Sequence, residues 1–404
     1  MKVKNTPKKD LLILAGGRGF RISKFTKKIP KPLIKFGNKT FLELLIRHIN
    51  IFDFENIFIL CGYKGKLIYK KFNNKIYNFT NIKCFIEKKQ LGTWGAINSI
   101  KKKIKNDFLV INADSILNTN IKKIFKLKSK KILNMYLTKN SIYKSNKKLS
   151  SLAINKGNIE IKKKSQWMNA GIYFFSRKIF NENISNYKSI ENDVIPDLIK
   201  KKKVDGFLSR SFFLDIGTYK NLERAKNILI NKLSRPAVIF DRDGVINFDR
   251  GYTYKIKDFI FRPNIVKTLK FLSNKNFFIF IVTNQAGIGK GHYTEKEFFL
   301  LHKFVKQNLE KKEIYIHDVK FCPYHPEAKI KKFRKNSGFR KPGNLMIKEL
   351  FNQWPIIENK SFLIGDKLTD KIAAKKSKVY FEYISPNIYT QVKKIIKKLN
   401  INNY

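Results

Sequence analysis

A chain of 404 residues is longer than one hydrophobic core organises, and its 43% of apolar residues is enough for two cores, which excludes an intrinsically disordered chain. A formal charge of +55 invites a nucleic-acid or anionic-membrane reading. The lysines, however, run from end to end beside asparagine and isoleucine, as in KKKIKNDF and YKKFNNKIYNF, without a zinc-finger, helix-turn-helix or RNP-like segment, so no specific nucleic-acid partner is expected.

From Asp10, apolar strands alternate with glycine loops and amphipathic segments: DLLILAGG, FLELLIRHI, NIFILCGY, NIKCFIEKK and DFLVINAD. Such alternation predicts an α/β, Rossmann-like domain with a largely parallel sheet and its ligand edge at the strand C-termini. LERAKNILINKLSRP predicts a helix ending near Pro236. A second α/β pattern follows in AVIFDRDG, NFFIFIVTNQ, DVKFC and SFLIGD. Two domains are therefore expected, over residues 1–232 and 233–404.

In the first domain, LLILAGGRGFRI sets Gly16, Gly17 and Gly19 directly after a strand, with Arg18 and Arg21 beside them. Glycines allow the close backbone path that points amides at a phosphate, while the spacing fits neither GxGxxG nor a P-loop. KKIPKPLIKF holds Lys31 between two prolines, which stiffen the backbone behind one cationic head. LGTWGAI adds Gly92 and Thr93 in another close-approach loop. Asp114 in NADS and Asp215 in FLDIGT each stand past an apolar strand, and two such carboxylates suit a magnesium site for nucleotide phosphates.

Residues 11 to about 228 resemble the sugar-1-phosphate nucleotidyltransferases, most closely the D-glycero-α-D-manno-heptose 1-phosphate guanylyltransferase branch, through LAGGRGFRI, IPKPLIKF, LGTWGAI, NADS, WMNAGIYFF and FLDIGTY. The resemblance implies a GT-A-like fold. It also implies that Leu14, Ala15, Gly16, Gly17, Arg18 and Gly19, with Gly92 and Thr93, hold GTP or another NTP. Arg21 and Lys31 would grip phosphates, Asp114 and Asp215 would hold Mg2+, and Glu87, Asn169 and Gly171 would border the sugar. Phe20, Ala113 and Trp94 depart from the family pattern, and Phe20 and Trp94 are expected to add bulk beside the nucleotide pocket.

The second domain opens on VIFDRDGVINFD, where Asp241 and Asp243 leave a buried strand one residue apart and strand periodicity turns both to one side. Carboxylates there need a cation or a reaction. Further on, IFIVTNQAG ends a strand at Thr283 and Asn284, GFRKPG supplies Arg340 and Lys341, and SFLIGDKLTD ends a strand at Asp366, with Asp370 one turn later. Small donors for phosphate oxygens, a lysine and a third carboxylate complete a set suited to phosphoryl transfer.

Residues 237 to about 385 look like the haloacid-dehalogenase-type (HAD) phosphatases, with DRDGVIN, GYTY, TNQAGIGKG, CPYHPE, FRKPG and GDKLTD most similar to D-glycero-D-manno-heptose 1,7-bisphosphate 7-phosphatases and then to histidinol-phosphate phosphatases. By this resemblance Asp241 is the nucleophile, Asp243 the acid and base, and Lys341 a catalytic cation. Thr283, Asn284 and Arg340 would bind phosphate, and Asp241, Asp243 and Asp366 would hold Mg2+. No large cap has room between the motifs, leaving segments 247–257 and 285–292 to select substrate. Relatives often carry a structural zinc, but here Tyr324 stands at an expected histidine position and IKKFRKNSGFRKP has no cysteine, so no zinc is expected.

Together the resemblances imply consecutive steps on a phosphorylated heptose: removal of the 7-phosphate, then GMP transfer from GTP. The alternatives are the same two reactions on another sugar or NTP, or a first domain that only binds a nucleotide sugar. A homo-oligomer is compatible with either. No apolar stretch reaches bilayer length, the basic start lacks a cleavage-like site, and Cys61, Cys84 and Cys322 are dispersed, so a cytoplasmic protein without membrane insertion is expected.

Overall fold

The computed structural model describes residues 9–49, 51–128, 130–139, 150–155 and 157–401; the basic start, residues 1–8, lies outside them. Two compact units emerge, Met1–Ile46 with Phe54–Lys232, and Arg47–Asp53 with Leu233–Tyr404.

The first unit is built on a ten-stranded sheet. Its strands are β1 (Lys9–Ala15), β2 (Ile57–Cys61), β3 (Ile76–Tyr77), β4 (Thr80–Ile86), β5 (Asp107–Asn112), β7 (Leu133–Lys139), β8 (Ser150–Asn155), β9 (Asn158–Ser165), β10 (Trp167–Phe175) and β11 (Val204–Ser209), in the order β8-β9-β11-β7-β10-β5-β1-β2-β4-β3. A separate pair, β6 (Ser115–Leu117) with β12 (Phe213–Asp215), stands outside that sheet.

β1 pairs in parallel with both β2 and β5, and β2 with β4, so the expected parallel arrangement holds where helices intervene. The other half is mixed: β10 runs antiparallel to β5 and β7, and β8 antiparallel to β9, while β11 runs parallel to β7. β8 ends at Asn155 and β9 begins at Asn158, too close for the crossover that a parallel pair requires.

The second unit is a five-stranded, all-parallel sheet. Its strands are β13 (Ala237–Phe240), β14 (Phe278–Asn284), β15 (Asp318–Cys322), β16 (Phe362–Gly365) and β17 (Tyr380–Tyr383), in the order β15-β14-β13-β16-β17. β13 alternates strictly between two cores. Val238 and Phe240 join the core formed with Ile265, Leu301 and Val392, while Ala237 and Ile239 join the one formed with Met346, Leu350 and Ala373. Burial on both faces explains why the strand reads as an unbroken apolar run, and its central place brings residue 241 to the middle of the sheet's C-terminal edge.

Among the described residues no helix is long and apolar enough to cross a membrane.

Candidate active sites

In the first unit, the antiparallel pairing of β6 and β12 sets Asp215 opposite Ser115, and the Ile216 amide donates to the Asp114 carbonyl at 2.9 Å. Two aspartates a hundred residues apart in sequence are thereby placed side by side. Lys31, buried behind its prolines, donates from Nζ to Asp114 Oδ2 at 2.7 Å. Asp215 Oδ1 accepts from the Gly217 amide and Oδ2 from Asn221 Nδ2. A β-carbon at Gly217 would lie 2.9 Å from Asp215 Oδ1 and 3.2 Å from an Arg21 terminal nitrogen, so the bare backbone there leaves Arg21 room to reach the carboxylate edge.

A cavity of about 260 Å³ opens beside this cluster. Leu14, Ala15, Gly16, Gly17, Gly92 and Thr93 line it together with Lys31, Glu87 and Asp114. Asn112, also in its wall, has a buried Oδ1 without a hydrogen-bond partner, the kind of atom a ligand donor would satisfy. Gly19, Arg18 and Arg21 lie beyond the wall, and the Arg18 guanidinium sits 5.8 Å from the Phe20 ring centroid.

Two expectations change here. Trp94 does not narrow the cavity: it is 1% exposed, donates from Nε1 to the Ile184 carbonyl and stacks on Phe180. The helix α1 (Gly92–Ser99) turns the side chains of Thr93 and Ala96, three residues apart, toward the cavity, and Trp94, about 100° further round than Thr93, points into the core. Phe20 is 75% exposed and not in the wall. Glu87 stands beside the glycine loop: a β-carbon at Gly16 would lie 3.2 Å from Glu87 Oε1. Burial raises the Glu87 pKa, while the Leu91 amide opposes the shift.

Asn169 and Gly171 lie outside the cavity wall. Gly171, at φ 69°, marks a register break in the β10–β7 pairing, and a β-carbon on it would strike the Asn112 side chain at 2.7 Å. Asn169 is thereby re-aimed, its Nδ2 donating to Tyr173 Oη at 2.6 Å.

In the second unit, the Asp241 amide donates to the Ile364 carbonyl, continuing the β13–β16 ladder by one residue. Lys341 Nζ lies 2.8 Å from Asp241 Oδ1 and 2.5 Å from Asp370 Oδ1, with all three side chains buried. Asn284 fixes this lysine reciprocally, donating to its carbonyl and accepting from its amide, while Nζ also donates to the Val282 carbonyl. Burial pushes the Asp241 carboxyl up to about 6, with Lys341 opposing and Asp370 adding to the rise. Lys341 is buried too, which alone would lower its pKa, yet Asp241 and Asp370 hold it above the usual lysine range.

Single carboxylate oxygens of Asp241, Asp366 and Asp370 lie within 4.8 Å of one another, and Asp366 Oδ1 is buried without a hydrogen-bond partner. Hard oxygen donors at that spacing fit a divalent cation such as Mg2+. Gly244, at φ 87°, must be glycine, because a β-carbon would fall 2.2 Å from Asp366 Oδ2.

Asp243, expected among the metal ligands, is not part of this cluster. Its carboxylate accepts bidentate bonds from the fully buried Arg242, and further bonds from Asn247 Nδ2 and Gln285 Nε2. Asp370 is the third carboxylate of the cluster, and its only sequence signal was its position one helical turn after Asp366.

A cavity of about 440 Å³ joins Asp241, Asp243, Thr283, Asn284, Arg340 and Lys341. Arg340 Nη1 is buried without a hydrogen-bond partner, and Lys367 pairs with Asp249 at 3.2 Å near the same space. Around Tyr324, Cys322 Sγ lies 4.0 Å from the Tyr324 carbonyl, and the Tyr324 ring packs on Phe333.

Comparison with known proteins matches residues 11–150 to the nucleotidyl transferase family and residues 237–401 to the polynucleotide kinase 3 phosphatase family. A D-glycero-beta-D-manno-heptose-1,7-bisphosphate 7-phosphatase of Rhodopseudomonas palustris is 34% identical over 163 residues, covering 40% of this chain and 91% of the relative. The chain belongs to the heptose-1,7-bisphosphate 7-phosphatase family. The 7-phosphatase of Escherichia coli K12 is likewise 34% identical, over 36% of this chain and 76% of its own length. Among solved structures, HddC from Yersinia pseudotuberculosis is 26% identical, covering 55% of this chain and 99% of its own at a TM-score of 0.46. With a nucleotidyl transferase domain ahead of its phosphatase domain, the chain is a bifunctional enzyme.

Proposed function

We propose that this chain carries out two successive reactions on one sugar. The second unit removes the 7-phosphate of D-glycero-D-manno-heptose 1,7-bisphosphate, and the first transfers GMP from GTP to the resulting heptose 1-phosphate, giving GDP-D-glycero-α-D-manno-heptose and pyrophosphate. The observation that carries this reading is the presence, in one chain, of a 7-phosphatase domain and a nucleotidyl transferase domain.

In the phosphatase site, Asp241 attacks the phosphorus and forms a phosphoaspartyl bond while Asp243 gives a proton to the leaving sugar oxygen. Asp243 then takes a proton from the water that splits the acyl phosphate. Lys341 and Arg340 balance the phosphoryl charge, and Thr283 and Asn284 orient its oxygens. Asp241 and Asp366 would hold Mg2+, which when bound screens the repulsion between carboxylate and phosphate. We read the unit as capless, with segments 247–257 and 285–292 walling the cavity.

In the transferase site, the 1-phosphate oxygen of the sugar attacks the α-phosphorus of the triphosphate and pyrophosphate leaves, with no protein nucleophile. Lys31 and Arg21 would stabilise the transferring group, and Asp114 and Asp215 would hold Mg2+. Asn169 and Gly171 would border the sugar. Glu87 supports GTP. A carboxylate accepts two parallel N–H bonds, and guanine is the base whose edge offers adjacent N1–H and N2–H donors. Three free, buried cysteines suit the reducing cytoplasm.

The test is a mass-resolved product assay of the full chain with Mg2+, four NTPs and each anomer of the bisphosphate. A GDP-heptose mass, lost at the first step in Asp241→Asn and at the second in Asp114→Ala, is expected. Dephosphorylation without any nucleotide sugar would restrict the reading to the phosphatase.

A further inference from the structure

Between the nucleotide-side loop and the sugar-side strand of the first unit lies a carboxylate that neither motif includes. Glu191 sits in the turn Ile190–Val194, which precedes a short helix. Its Oε2 accepts from Thr93 Oγ1 at 3.0 Å and from Ser189 Oγ at 3.3 Å. Its Oε1 accepts from Tyr173 Oη at 3.2 Å, and that hydroxyl in turn accepts from Asn169 Nδ2 at 2.6 Å. Asn169 Oδ1 is occupied as well, by the Gly171 amide at 2.9 Å. One carboxylate therefore ends two chains of hydrogen bonds, one from a residue in the cavity wall and one from the strand bulge.

Tyr173 is fully buried, so water cannot replace either of its partners, and its hydroxyl has one direction in which to donate. With the Tyr173 proton directed at Glu191, only the oxygen lone pairs face Asn169. This orients the amide with its NH2 toward Tyr173 and its carbonyl toward the bulge. The turn is pinned from the other side too: the Ile190 amide donates to Thr93 Oγ1 at 2.8 Å, and the Trp94 amide donates to the Lys188 carbonyl at 2.8 Å.

We infer that Glu191 is a positioning residue for nucleotidyl transfer, setting the Asn169 amide for the sugar through the Tyr173 hydroxyl while bracing Thr93 on the nucleotide side. The inference rests on the transferase reading above, in which Asn169 borders the sugar and Thr93 the nucleotide. Its two arms can be cut separately. Tyr173→Phe removes only the hydroxyl that joins Glu191 to Asn169, and Glu191→Gln keeps the shape but replaces one acceptor oxygen with a donor that faces another donor.

The experiment uses the full chain, with D-glycero-D-manno-heptose 1-phosphate and α-D-mannose 1-phosphate as probes, measuring their binding by calorimetry and the KM of sugar and NTP separately. Thermal unfolding of the full chain, followed by circular dichroism, checks that each variant keeps the wild-type transition of the first unit, in which both residues lie. Tyr173→Phe is expected to raise the sugar KM and weaken sugar binding roughly tenfold, leaving the NTP KM within about twofold. Glu191→Gln is expected to raise both KM values. Unchanged sugar binding and sugar KM in Tyr173→Phe would overturn the inference, and so would an equal loss in both substrates. If the wild-type chain binds a probe without transferring nucleotide, and Tyr173→Phe weakens that binding, the transferase reading fails while the positioning role stands. If it neither binds nor transfers either probe, both fall.

Discussion

Lys341 Nζ stands 2.8 Å from Asp241 Oδ1 and is shared with Asp370, giving one buried ammonium to two buried carboxylates. Removing the cation leaves two charges that water cannot reach. Lys341→Met is therefore expected to abolish phosphatase turnover and to destabilise the second unit by about 3–5 kcal/mol, the usual cost of breaking a buried ion pair. Thermal unfolding followed through that unit checks the second effect. A variant that melts like the wild type would show that the carboxylates had taken up protons or water without cost.

The same burial sets a pH dependence. The Asp241 carboxyl, ordinarily near 3.8, is pushed up to about 6 by burial against the opposing Lys341 charge. Below the ordinary value it is protonated in both folded and unfolded chains. As the pH rises through about 6 the folded chain must hold a buried carboxylate, and stability is lost. In the presence of a chelator, the melting temperature of Asp241→Asn relative to the wild type should rise as the pH goes from about 4 to about 6 and level off above that. A difference that is constant over this range would remove the linkage.

The carboxylate cluster makes a distinct prediction for metal. Asp366 has its pKa raised by burial, with Lys367 opposing and Asp370 adding to the rise, so a divalent cation relieves a repulsion already present. Added Mg2+ is expected to stabilise the second unit by about 2.7 kcal/mol at a hundredfold excess over its Kd. Asp366→Asn should remove most of that shift. Differential scanning fluorimetry across a Mg2+ titration reads both.

Base choice is testable at Glu87. Replacing one of its two acceptor oxygens with an amide in Glu87→Gln turns a donor toward guanine's own N–H donors. The kcat/KM for GTP should fall about tenfold or more, while CTP and UTP change little. An NTP competition assay with mass-resolved products decides it, and equal losses for all four would show that Glu87 serves the sugar or the backbone instead.

Several parts of these sites are legible in the chain itself. The paired aspartates of DRDG follow an apolar run, and a buried central strand ends at the ligand edge, so the place of Asp241 is readable from the sequence. Lys31 between two prolines, the glycine loop and Asp114 also lie in the cavity beside which they were expected. Other features have no local signal. Glu191 sits in a π-helical turn that no local pattern announces, and its importance comes from two partners 98 and 18 residues away. Trp94 reads as bulk beside a pocket because its neighbours line one, yet helix geometry rotates it into the core.

Arg242 makes the division plain. In sequence it is one letter between two aspartates, but in the fold it is fully buried and binds Asp243 through two nitrogens, and that carboxylate stands outside the metal cluster. The sequence by itself determined the alternation of strand and loop, the two-domain order and the residue types at each strand end, because periodicity, glycine and proline act over a few residues. Only the tertiary structure decided which carboxylate pairs with which cation, which side of α1 faces ligand and which strands run antiparallel. Those outcomes depend on distances between residues far apart in the chain, and burial sets the energy of each.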